Sequence, residues 1–186
     1  MLFNGVRYSA IPAYGSNGDA TKENCMAQSL RDSVHLVSDP ANLDSSVKEV
    51  FHLMLGTECE KSNTQHLQPK ESVTAVVGFG GALSGACVFR SSSHTACKIA
   101  NHLTGLEVEE VDDTVKDAIG EICNMLAGAW KGKVPELAAS CGLSVPAVIT
   151  GRDYNIHVQA PEFRLFHSYF FDGAPFDVTI ICDGIR

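Results

Sequence analysis

Two apolar, β-rich runs at residues 73–79 and 83–90 are separated only by a short stretch around Gly80-Gly81. So short a connection joins antiparallel neighbours, because a parallel crossover needs roughly a dozen residues or more. The pair therefore predicts a β-hairpin. The string Gly78-Phe79-Gly80-Gly81 is a turn on this reading and not a phosphate loop, since no Lys-Ser or Lys-Thr follows it. Residues 144–150, 155–159, 163–171 and 175–182 also have strand character, the last two meeting at Asp172-Gly173.

Helical spacing appears between these runs. Leu43-Asp44-Ser45 offers an N-cap, and Val47, Val50, Phe51, Met54 and Leu55 follow until Gly56 stops the helix. Ser93 caps a second helix through Ala96, Ile99, Ala100 and Leu103, ending at Gly105. A longer helix is predicted over 110–130 and a short one over 135–139. Helices clustered among antiparallel hairpins imply an α+β layered domain, an antiparallel sheet of hairpins packed with helices, and not a parallel doubly wound fold.

At 186 residues and 45% hydrophobic, the chain suits one domain with its own core. The division is an N-terminal extension, loosely structured, over 1–43 and the folded domain over 44–186. The extension is turn-rich at Tyr14-Gly15-Ser16-Asn17-Gly18-Asp19 and broken again at Ser38-Asp39-Pro40, with a short ordered piece at 33–37. A formal net charge of −8 with scattered basic residues argues against nucleic acid or an anionic membrane as partner. No stretch approaches the ~18 apolar residues of a membrane span, and no signal-like leader is seen. Seven cysteines, an odd number with no C-x-x-C, fit unpaired core thiols in a reducing cytoplasm better than disulfides or zinc.

The informative element is the third helix. At about 100° per residue, Val111, Val115, Ala118, Ile119, Ile122, Met125, Leu126 and Ala129 gather on one broad face. Asp117, Glu121, Asn124 and Gly128 fall at i, i+4, i+7 and i+11, a stripe about 60° wide on the opposite side. An acid and an amide thus lie side by side on an exposed ridge. Its neighbours Gly120, Ala127 and Gly128 are small, although glycine inside a helix costs about 1 kcal/mol relative to alanine. Periodicity alone leaves two readings. Either a partner approaches the backbone here, or the face is merely solvated and the glycines serve packing against neighbouring elements.

The pattern Asp117-x-x-x-Glu121-x-x-Asn124, with Gly128 following, resembles the signature of the CheC/CheX/FliY phosphatases. The blocks around it are similar to CheX-like domains in the same order. They are Val47 to Gly56, Val76-Val77-Gly78-Phe79-Gly80-Gly81 with Gly85, Ala96 to Gly105, and Pro146-x-Val148-Ile149-Thr150-Gly151. The resemblance spans residues 44–182. It implies a phosphatase acting on the aspartyl-phosphate of a CheY-like response regulator in the cytoplasm. Glu121 would pair with the regulator's active-site lysine, and Asn124 would hold a water in line for attack. Asp117, Gly120 and Gly128 would complete the partner-binding ridge. No cofactor is held by this chain, and Mg²⁺ is expected on the regulator. The alternative is a catalytically weak, regulator-binding adaptor of the same fold.

The first helix echoes the signature as Ser45-x-x-x-Glu49-x-x-His52-x-x-x-Gly56, which implies a pseudo-symmetric internal repeat whose first site is lost. His52 replaces a neutral water-positioner with a titrating ring and has no clustered His or Cys partner in the sequence. The resemblance further implies a homodimer joined through sheet edges. The aromatic run at 163–171 suits either an edge that needs a cover or a strand buried on both faces.

Overall fold

A computed structural model describes residues 34–64, 71–152, 154 and 161–185. The strand foreseen at 155–159 and residues 1–33 lie outside these. The order is α1 (Val34–Val37), α2 (Pro40–Leu55), β1 (Glu60–Lys61), β2 (Glu71–Gly81), β3 (Leu83–Ser92), α3 (Ser93–Thr104), α4 (Asp113–Gly132), α5 (Pro135–Ser140), β4 (Cys141–Leu143), β5 (Ala147–Arg152), β6 (Phe163–Phe171) and β7 (Ala174–Ile185).

The hairpin forms as its turn chemistry requires, with Val77 opposite Cys87 and Phe79 opposite Gly85. The β6–β7 hairpin turns at Asp172 (φ 47°) and Gly173 (φ 73°), two consecutive left-handed residues that match the twist of the flanking strands. The sheet runs β1–β6–β7–β3–β2, and β4 and β5 pair in succession along the free side of β2. Every pairing is antiparallel. Alternation along the strands sends Val73, Ala75, Val77, Phe79, Cys87, Phe89, Phe176, Val178 and Ile180 to one face, where all are buried. The helices pack there: Phe51 of α2 stacks on Phe176 at 4.6 Å between centroids, and Trp130 of α4 meets Phe79 at 5.2 Å.

Several boundaries differ from the sequence expectation. The first long helix starts at Pro40, with Asp39 as N-cap accepting from Ala41 N at 2.9 Å and Pro40 in the first turn. The helix thus runs through position 43, and Leu43 is buried in the core. Asp44 is no cap; its carboxylate joins a tertiary cluster instead. Lys61 Nζ lies 2.6 Å from Oδ2, while Tyr169 donates to Oδ1 at 2.7 Å and His167 Nδ1 lies 2.7 Å from the same oxygen. The second cap is Ser92, not Ser93, with Oγ accepting from Thr95 N at 3.1 Å. Gly56 (φ 66°) and Gly105 (φ 70°) end their helices in the left-handed conformation, as foreseen. The strand expected over 144–150 begins only at Ala147, after a separate short strand that ends at Leu143, because Pro146 has no N–H to continue a ladder.

Gly85 is fixed by its surroundings. The β3–β7 register shifts between Ser84 and Gly85, where φ is +154°, and a Cβ there would lie 2.0 Å from the carbonyl oxygen of Ile181. Gly85→Ala should therefore lower stability by about 3 kcal/mol in urea unfolding. Asp44 gives a second expectation. Burial raises its pKa, yet the bonds from Lys61, Tyr169 and His167 more than offset this and hold it below the ordinary carboxylate value. Its contribution is therefore complete above the unfolded pKa of about 3.9 and is lost as pH falls through the lower folded value. Asp44→Asn should cost about 1–3 kcal/mol at neutral pH, and its deficit relative to wild type should shrink below about pH 4.

Candidate functional site

Helix α4 begins where Asp112 Oδ1 accepts from Val115 N at 2.9 Å, three residues later than periodicity suggests. Val115, Ala118, Ile119, Ile122 and Leu126 are buried, and Val111, Met125 and Ala129 are half-buried against the core. The apolar face is the one foreseen. The ridge opposite carries Asp117 and Glu121, both exposed, and Asn124 and Gly128, both half-buried. Neither Glu121 nor Asn124 has a hydrogen-bond or ion-pair partner among the described residues.

The cations nearest this stripe in sequence are engaged elsewhere. Lys116 binds Asp113 at 2.9 Å. Lys131 donates to the carbonyls of Ala138 at 3.0 Å and Cys141 at 2.5 Å, which fastens α5 and β4 to α4. Glu121 therefore stands as an open carboxylate beside an open carboxamide. This pair can accept a cation from another molecule and, beside it, both donate and accept hydrogen bonds without adding charge.

Two assignments on the ridge separate. A Cβ built on Gly128 would touch only Leu143, at 4.0 Å, so this stretch of helix is open to approach. Gly120 is buried, and a Cβ there would lie 3.4 Å from Pro146 Cβ and 3.5 Å from Val148 Cγ2. The bare backbone of Gly120 admits the chain's own β4–β5 connection. That connection is Ser144-Val145-Pro146, and the sequence signal for it is Pro146 at its end, which cannot donate to a ladder.

The echo on α2 is exposed at Ser45, Glu49 and His52, but Glu49 is ion-paired with Lys133, just beyond the end of α4. The helix also stops at Gly56, whereas α4 continues four residues past Gly128. His52 has no partner among the described residues. His35, His94 and His102 are exposed, and His167 belongs to the Asp44 cluster. His66 and His157 lie outside the described residues. Among the described residues no group of three or more His, Cys, Asp or Glu is arranged to hold a metal ion. None of the described helices is long and apolar enough to cross a membrane.

Comparison with known proteins gives a consistent picture. Residues 73–167 match the family model "Chemotaxis phosphatase CheX". The CheY-P phosphatase CheX of Thermotoga maritima is 32% identical over 118 residues, covering 61% of this chain and 76% of that protein. Among solved structures, the CheX-CheY-BeF3-Mg²⁺ complex from Borrelia burgdorferi superimposes with a TM-score of 0.65 at 22% identity, over 77% of this chain and 97% of that one. CheX from Vibrio vulnificus also gives 0.65, at 19% identity, over 76% and 94%.

Because the ridge side chains are not used by the fold, Glu121→Ala and Asn124→Ala should each leave unfolding stability within about 0.5 kcal/mol of wild type. Urea titration of the two purified variants checks this.

Proposed function

The chain belongs to the CheX family of chemotaxis phosphatases and removes the phosphoryl group from a CheY-like response regulator, and from that premise we propose that Asn124 and Glu121 carry the reaction. The observation that supports this most is the unpartnered acid and amide on one ridge of a helix whose other face is core. A convex site of this kind suits a macromolecular substrate that brings its own pocket.

The chemistry divides between the two proteins. An aspartyl phosphate is an acyl phosphate and already reactive, and Mg²⁺ on the regulator neutralises the phosphoryl oxygens. What remains is to place a water in line with the scissile P–O bond. Asn124 does this through its carboxamide, with the oxygen accepting from the water and the NH₂ available to a phosphoryl oxygen. A carboxylate at the same position would repel the phosphate. Glu121 pairs with the regulator's lysine and sets the depth of insertion, and Asp117 and Gly128 contribute at the rim. The water's oxygen attacks phosphorus, the bond to the aspartyl oxygen breaks, and the regulator's carboxylate is restored as inorganic phosphate leaves.

The same reading includes a homodimer and a cytoplasmic site of action. In support of the first, β6 meets only β1 on its outer side, at Tyr169 and Phe170, so residues 163–167 have no outer strand among the described residues. In support of the second, Cys59, Cys87, Cys97, Cys123, Cys141 and Cys182 are all buried free thiols.

Asn124→Ala should reduce turnover of the phosphorylated regulator by about two to three orders of magnitude while leaving association nearly unchanged, as losing one positioning group does. Glu121→Ala should weaken association as well. Phosphate release from candidate CheY-like regulators, followed beside a binding titration, checks both. Near-normal turnover by Asn124→Ala would remove Asn124 from the mechanism.

A further inference from the structure

Gly120 and Asn124 stand at i and i+4 on α4, so they occupy the same side of the helix, one turn apart. Helical side chains lean towards the N-terminus, and the Asn124 side chain accordingly stands over the turn that holds Gly120. That turn is where Pro146 is seated. Whatever reaches Asn124 must therefore arrive beside the β4–β5 connection.

The connection is held in place. Ser144 N donates to the Gly78 carbonyl at 2.9 Å, and Ser144 Oγ accepts from Gly78 N at 2.8 Å and donates to the Val145 carbonyl at 2.9 Å. Pro146 against Gly120 pins the other side. Between these two fixed points Val145 is 85% exposed, more than any of Leu36, Leu53, Leu106 or Ile149. An apolar residue whose flanking backbone is already held has little backbone freedom left to lose, which makes it an efficient contact for a docking surface.

We propose that Val145 is an apolar docking contact for the phosphorylated response regulator, covered by the regulator's surface when Asn124 reaches the phosphoryl group. The occupant follows from continuity: the loop abuts the turn beneath Asn124, so the molecule that covers one covers the other. The inference rests on the assignment of Asn124 above. Val145 touches no reacting atom. It acts on how firmly and in what register the regulator is held, so its effect falls on KM and not on kcat.

The test uses the full chain and a CheY-like regulator that the wild type dephosphorylates, with turnover followed by phosphate release. Binding is measured separately to the same regulator charged with beryllofluoride and Mg²⁺. Val145→Asp should raise KM and Kd about tenfold or more, the size of effect expected when a charge replaces a covered apolar contact, with kcat within about twofold. Val145→Leu keeps the apolar area and should retain the wild-type values. Unchanged KM and Kd in Val145→Asp, together with an inactive Asn124→Ala, would overturn this inference alone. An active Asn124→Ala would instead overturn the functional assignment beneath it. Equal losses in the Asp and Leu variants, or a change in oligomeric mass with Val145→Asp at unaltered KM, would also overturn it, the latter by making a second copy of the chain the occupant.

Discussion

Helix α4 lies so close to the β2–β3 hairpin that the thiol of Cys123 reaches backbone oxygens in both strands, at 3.5 Å from Ala75 O and 3.6 Å from Cys87 O. Gly120 and Ala127 are both buried on this helix, and the bare backbone of Gly120 lets Pro146 and Val148 close on its flank. The neighbouring thiol of Cys123, together with burial, pushes the Cys87 thiol well above its ordinary pKa, so Cys87 stays neutral beneath the helix. A helix seated at this depth, with Trp130 against Phe79 further along, cannot roll without opening the core. The height and azimuth of Glu121 and Asn124 above the sheet follow from that seating.

This rigidity bears on the proposed function. If Asn124 places a water in line, its contribution to rate is positional, and a carboxamide that had to be ordered during the encounter would lose much of that advantage. The two lysines flanking the ridge reinforce the division of labour. Lys116 and Lys131 are taken up by Asp113 and by the carbonyls of Ala138 and Cys141, so neither closes on Glu121.

Features governed by local chemistry were legible in the sequence. The hairpin turns, the glycine stops at Gly56 and Gly105, the buried cysteines and the apolar face of α4 all follow from propensity and period. Features governed by distant contacts were not. Asp39 and Asp44 both satisfy the local rule for a helix cap. What separates them is a cluster with His167 and Tyr169, more than a hundred residues away, which claims Asp44 for tertiary packing. Gly120 shows the same limit. A glycine inside a helix signals that something comes close, but only the folded chain reveals that the visitor is Pro146.

The two signature-like helices use their ridges differently. α2 and α4 pack against each other, and each carries an acid at the equivalent ridge position. On α4 the acid is open. On α2 the acid, Glu49, is closed by Lys133 from the segment that follows α4, so the ion pair that would bind a partner is satisfied within the chain. The amide position holds His52, which cannot both donate and accept from one planar end as a carboxamide does. The backbone diverges as well, because Gly56 ends α2 at the position where Gly128 lets α4 continue. Restoring an asparagine at position 52 alone would therefore not recreate a site. The acid would remain paired, and the ridge would still end a turn too soon.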